Sequence, residues 1–234
     1  MSCLNQFNKT DAMVSVVIPC WGRKYRLLLP NALKSVYQQS YKTIETNIVS
    51  FPMNVAWAMN RGAFETTGDY LVFLGADDQL SPGYIEKCVN AIDSDAVGFV
   101  WTGCIYTGDL SGVSMPKKFM ATRWGWVLGQ SFGGQLGAMM INRECFNDLG
   151  GFDADSGFED WDFCIRALKR GWKCKAIYEP LHIYNVSKKD KWASDKKLLK
   201  KYPVMRGPRI IFNFYRFIKR RYFDIINLVR KKCR

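Results

Sequence analysis

Strand-like runs alternating with helix-like segments fill the first hundred residues, and this alternation constrains the fold more than any other feature. The β-branched run "MVSVVIPC" ends at Pro19-Cys20 and reads as a buried strand. "LLLPNALKSVYQQ" follows, with Leu33, Val36 and Tyr37 at helical spacing. "IETNIVS" reads as a second strand and "NVAWAMNRGAFETT" as a second helix. "YLVFLGA" is a third strand, "PGYIEKCVNAI" a third helix and "AVGFVWTG" a fourth strand. This order predicts a parallel sheet with helices on its faces. Ligands of such sheets bind beyond the carboxyl ends of the strands.

The third strand runs out at "LGADDQLSPG", where Asp77 and Asp78 sit side by side. Adjacent carboxylates repel, and each loses hydration near a packed sheet end, so the pair needs a compensating cation. Hard oxygen ligands of this kind suit Mg²⁺ or Mn²⁺. The same stretch also reads as an Asp-rich turn that opens the helix from Tyr84 to Ile92. A second acidic cluster, Glu159, Asp160 and Asp162, precedes a helix whose Phe163, Ile165, Ala167 and Leu168 suit a half-buried face. Acids at a helix start gain from the macrodipole. Alternatively, one of them is a general base facing a substrate pocket.

A chain of 234 residues makes one sizeable domain, or one domain with an appendage. The charge points to the second arrangement. Residues 187–234 hold 17 Lys and Arg against 3 Asp and Glu, leaving 17 basic and 18 acidic residues in the remainder. The expected organisation is a neutral body, 1–186, and a basic tail, 187–234. Eight scattered cysteines with no Cys-x-x-Cys pair, and a single His, argue against a zinc site. The start "MSCLNQFNKTDAM" is polar rather than signal-like, so the thiols are expected to be reduced and cytosolic.

The segments "VSVVIPCWGR", "NVAWAMNRGAFETTGDYLVFLGADD", "GGF" and "EDWDFCIRALKRG" resemble, in order and spacing, the successive motifs of GT-A fold, family 2-type glycosyltransferases. The resemblance runs from about residue 14 to residue 185. It implies a mostly parallel central sheet flanked by helices, and transfer of a sugar from a nucleotide-sugar donor, usually with inversion. By the same resemblance, Pro19, Cys20, Trp21 and Gly22 end the strand whose backbone cradles the nucleotide base. Asp77 and Asp78 match the end of the Asp-x-Asp motif that holds Mn²⁺ or Mg²⁺ on the diphosphate. Asp160 matches the catalytic base, with Glu159 beside it. A uridine diphosphate sugar is the foremost donor expectation, and a glycan or lipid-linked hydroxyl the acceptor.

The sequence departs from the family at two places. Gly75 replaces the first Asp of Asp-x-Asp, and no acid follows Glu45 where the family often reads the base. The passage Pro52-x-Asn54-x-Ala56-x-x-x-Asn60 is closer to the galactosyltransferase and chondroitin-polymerase side of the superfamily. Asn60 and Arg61 are candidate contacts to the donor diphosphate. His182 falls several residues from where some relatives place a metal-binding His, which favours a structural role. Trp101, Trp124 and Trp126 lie in the segment that faces the acceptor in relatives, and each is a candidate for sugar stacking or for core filling. Gly133 and Gly134 read either as a close substrate approach or as a plain turn.

In the tail, Arg209, Asn213, Arg216, Arg220, Asn227, Lys231 and Arg234 fall on one helical stripe, and Ile211, Phe214, Ile218, Tyr222, Ile225 and Val229 on the opposite one. The expectation is a basic amphipathic helix lying on an anionic membrane surface, which places the enzyme peripherally on a cytoplasmic face. The competing readings are a helix packed on the body, a nucleic-acid-binding protein or DNA-base glycosyltransferase, and a non-catalytic sugar-nucleotide-binding relative. Nucleic acid accounts only for the basic stripe.

Overall fold

A computed structural model describes residues 11–50, 54–116, 136–156, 158–187 and 200–202. Strands β1 (Val14–Pro19), β2 (Ile44–Val49) and β3 (Tyr70–Phe73) alternate with helices α1 (Arg23–Tyr37) and α2 (Val55–Phe64). A two-residue strand β4 (Gln79–Leu80) leads to α3 (Tyr84–Ala91). The long β5 (Val97–Gly108), β6 (Gly112–Ser114), β7 (Met139–Asn142), α4 (Arg143–Asp148), α5 (Glu159–Arg170) and β8 (Lys173–Val186) complete the described order. The sheet runs β2-β1-β3-β7-β5-β8-β4, with β6 on β5.

The first three strands are parallel, as the alternation predicts. The fourth run, β5, does not join them directly. β7 lies between β3 and β5, antiparallel to both, and β8 then pairs parallel with β5. The sheet is therefore mixed. Both its faces are buried, which explains the near-continuous apolar strands. Val14, Val16 and Ile18 enter one core with α1 and α3, while Val17 enters the other with α2 and α5.

Arg143, at the start of α4, ties the antiparallel insertion to the parallel half. Its guanidinium donates to Ala63 O at 2.8 Å, Ser15 Oγ at 3.0 Å, Thr66 Oγ1 at 3.1 Å and the Gly68 carbonyl. Glu45 accepts from Ser15 Oγ, Thr67 N–H and Gly68 N–H beside it, each at 2.7 Å. Burial alone would raise the Glu45 pKa, but those hydrogen bonds together bring it below the ordinary value. This buttress gives the acid of β2 a structural task. Arg143→Ala is expected to lower unfolding stability by about 2–3 kcal/mol, because several part-buried acceptors lose one shared donor. An unchanged urea midpoint would show that water replaces the guanidinium without cost.

Candidate active site

The short β4 is what assembles the site. It pairs antiparallel with β8, setting Leu80 opposite His182. Asp78 lies just before β4, so its carboxylate is delivered to β8. Oδ1 accepts the Asn185 N–H at 2.9 Å, and Oδ2 stands 3.4 Å from His182 Nε2. The imidazole is fully buried, and Nε2 has no aligned hydrogen bond despite that proximity. Burial disfavours the imidazolium, yet the Asp78 carboxylate and then the Cys104 sulfur raise the ring's pKa to about 9. A buried carboxylate facing an orphaned imidazole nitrogen is a donor set that a hard-to-borderline divalent ion fits, displacing the proton. Asp77 is half-buried beside it, and a Cβ at Gly75 would come within 2.7 Å of Asp78 Oδ2 and 3.3 Å of Asp77 Oδ1. Glycine in place of the family's first acid thus leaves room for both carboxylates. Among the described residues no three His, Cys, Asp or Glu side chains form a complete cage. An ion here would take its remaining ligands from substrate phosphate and water.

The second acidic cluster divides its labour. Asp162 is fully buried and accepts from Arg166 Nε, Tyr202 Oη and Lys201 Nζ, each at 2.7 Å. It is a structural anchor, and it holds residues 200–202, which lie past the expected body boundary, onto the body. The Asp160 carboxylate instead accepts the Trp161 N–H at 2.7 Å. Desolvation, then the neighbouring Glu159 charge, pushes the Asp160 carboxyl up to about 7, and desolvation also raises Glu159. Helix-capping acids alone would show the opposite direction, since the macrodipole favours their charge. A half-buried carboxylate kept near neutral pKa suits a general base.

The loop before α5 is clamped from three sides. Asn60 donates to Phe152 O at 2.9 Å and accepts from Phe152 N at 2.8 Å, while Asn54 donates to Ala154 O at 2.9 Å. Arg166 holds Leu149 O and Gly151 O at 2.8 and 2.7 Å. Asn60, a candidate donor contact, thus gives one amide N–H and one oxygen lone pair to the Phe152 backbone, and Arg61, the other candidate, reaches Glu65 at 2.7 Å on the exposed face of α2.

Both clusters border the chain that enters β7. Val72 pairs with Met140, so the exit of β3 lies beside the 3-10 turn Leu136–Ala138 that enters β7. Cys164, one turn beyond Asp160, has its sulfur 3.5 Å from Met139 Sδ. At the exit of β1, the Cys20 N–H binds Val49 O at 2.9 Å and the thiol is buried, leaving backbone as its contribution to any pocket. Trp21, Gly22, Arg23, Arg26 and Leu27 line an open hollow of about 450 Å³ next to Pro19. The first turn of α1 carries Arg23, Lys24 and Arg26 and no acid. That is the reverse of what a macrodipole favours and suits a bound anion. Reading the sequence missed this basic turn, although "GRKYR" directly after a strand is a visible signal. Trp101 is buried in the core. Trp124, Trp126, Gly133, Gly134 and the tail stripes lie outside the described residues.

A family model described as glycosyl transferase family 2 matches residues 47–150. An uncharacterised glycosyltransferase of Haemophilus influenzae is 27% identical over 201 residues, covering 72% of this chain and 67% of that protein. The amylovoran biosynthesis glycosyltransferase AmsB of Erwinia amylovora is 28% identical over 170 residues, 64% of this chain and 54% of that one. Among solved structures, the mannosyltransferase PcManGT of Pyrobaculum calidifontis, in complex with GDP-Man and Mn²⁺, superposes with a TM-score of 0.58 at 18% identity, covering 76% of this chain and 58% of its own. TarS 1-349 of S. aureus, in complex with UDP-GlcNAc, gives 0.62 at 11% identity, covering 85% and 66%. The chain thus spans between about half and two thirds of the length of these relatives. Residues 47–150 carry the likeness to glycosyl transferase family 2, and the chain shares the GT-A fold of these solved glycosyltransferases.

Proposed function

We propose that the chain transfers a sugar from a nucleoside diphosphate donor to a hydroxyl of a glycan or lipid-linked acceptor, with inversion at the anomeric carbon. The observation that carries this reading is that the Asp78–His182 pair and the helix of Asp160 both border the chain entering β7: Gly137 lies beside His182, and Met139 touches Cys164, one turn beyond Asp160. Asp78 and His182, with Asp77 alongside, would hold Mn²⁺ or Mg²⁺. When bound, such an ion supplies Lewis-acid charge to the departing diphosphate. Asp160 takes the proton of the acceptor hydroxyl as its oxygen bonds to the anomeric carbon and the carbon–phosphate-oxygen bond breaks. Glu159 keeps the base's affinity for that proton high. The basic first turn of α1 and the Trp21 hollow hold the nucleotide diphosphate.

The complexes of PcManGT with GDP-Man and of TarS with UDP-GlcNAc support a nucleotide-sugar donor and argue for testing both bases. The expected result is metal-dependent release of nucleoside diphosphate from one donor in a panel of UDP- and GDP-sugars. Failure to bind or cleave any of them, in Mn²⁺ or Mg²⁺, would contradict the proposal; binding without turnover would mark a non-catalytic relative. The family assignment does not favour the nucleic-acid alternative.

The same proposal places the enzyme peripherally on the cytoplasmic face of an anionic membrane, held by residues 207–234. No helix among the described residues is long and apolar enough to cross a bilayer. Each Lys or Arg near an anionic surface contributes about 1 kcal/mol, and the apolar stripe adds burial at about 25 cal/mol per Å². Replacing Ile211, Ile218 and Ile225 together with Ser should weaken cosedimentation with phosphatidylserine vesicles although every positive charge remains. Unchanged binding would make the attachment purely electrostatic.

A further inference from the structure

We infer that Cys104 is a positioning residue for the candidate metal site, acting through the orientation of His182. The inference rests on the metal reading given above. His182 and Cys104 are register partners on the parallel pair β5 and β8, next to two shifts of register. Thr102 pairs with Ile177, Gly103 with Pro180 and Cys104 with His182, so β8 carries extra residues on either side of Pro180. Irregularities of this kind re-aim side chains. Here the result is that the Cys104 sulfur sits 3.5 Å from His182 Nδ1, with both residues fully buried.

That contact determines which nitrogen faces the ion. With a metal on Nε2 the neutral ring keeps its proton on Nδ1, where the Cys104 sulfur is placed to accept it, and Nε2 is the nitrogen turned to Asp78 Oδ2. Gly137 bounds the ring near its other nitrogen. A Cβ there would stand 2.3 Å from Nε2 and 2.9 Å from Cδ2 and Cε1, so glycine keeps the space beside Nε2 clear. Sulfur at Nδ1 and the bare turn near Nε2 together hold one ring orientation. Partners behind a ligating histidine fix its ring in this way, and losing one typically costs about 10–100-fold in metal affinity.

The test uses the full chain and Mn²⁺ alone. The chain holds a single His, so any imidazole ¹⁴N coupling in the pulsed electron paramagnetic resonance spectrum of bound Mn²⁺ reports His182. Wild type should show that coupling, and His182→Ala should lose it. Cys104→Ala should keep its thermal midpoint within a few degrees, bind Mn²⁺ about 10–100-fold more weakly and lose or broaden the coupling. Cys104→Ser, which restores an acceptor, should recover most of both. If the Ala variant is unstable, Cys104→Val decides, because it fills the same core space without accepting a hydrogen bond. Wild-type affinity and coupling in the folded Ala or Val variant would overturn the role of Cys104 while leaving His182 a ligand. Absence of coupling in wild type would overturn the metal reading, and this inference with it.

Discussion

Asp160→Asn is expected to lower kcat by about 10²- to 10⁴-fold with donor affinity nearly unchanged, the signature of a lost general base. The amide keeps the shape of the carboxyl and its contact with the Trp161 N–H, so folding should survive. The pH dependence follows from the raised carboxyl. Only the ionised form accepts a proton, and its pKa is near 7, so kcat/KM should climb with pH through about 7 and then level off. Asp160→Asn should erase that limb. Glu159→Gln removes the charge that helps raise Asp160, so its limb should move to lower pH while most turnover remains. If Glu159→Gln is instead the severe variant and Asp160→Asn the mild one, the roles of the two acids are reversed.

Asp78→Asn should remove metal-dependent turnover. Losing roughly 4 kcal/mol of charge stabilisation at the leaving diphosphate corresponds to about 10³-fold in rate. Donor affinity in Mn²⁺ should fall as well, which distinguishes this variant from Asp160→Asn. The Asn185 N–H retains an oxygen acceptor in the variant, so the β4–β8 pairing should hold. Full activity with the fold intact would move the metal to Asp77 or remove it altogether.

What the sequence disclosed follows from how local each signal is. β1 to β3 and α1 to α3 were legible because each apolar run carries its own periodicity and breakers. β7 was not, because "MMIN" is four residues long and its antiparallel insertion depends on partners that precede it by about seventy and forty positions. The paired aspartates and the Glu-Asp cluster were visible as adjacent like charges. His182 was read as structural because it falls several residues from the family's metal-binding His; its approach to Asp78, 104 positions away, depends on the two-residue β4 and carries no local signal. The clamp made by Asn60 was hidden for a related reason: its partner, the Phe152 backbone, lies 92 positions away. The family resemblance singled out Asp160 and left Asp162 without a task; its burial beside Arg166, Lys201 and Tyr202 supplies one.

The most direct measurement is anomalous scattering at the manganese edge from crystals grown with Mn²⁺ and the nucleoside diphosphate of the donor found in the panel. The account predicts one strong peak in coordination contact with Asp78 Oδ2, His182 Nε2 and the diphosphate oxygens, with the nucleotide base in the hollow beside Trp21. A nucleotide bound there with no manganese peak at Asp78 and His182, or a peak at a different set of residues, would contradict it.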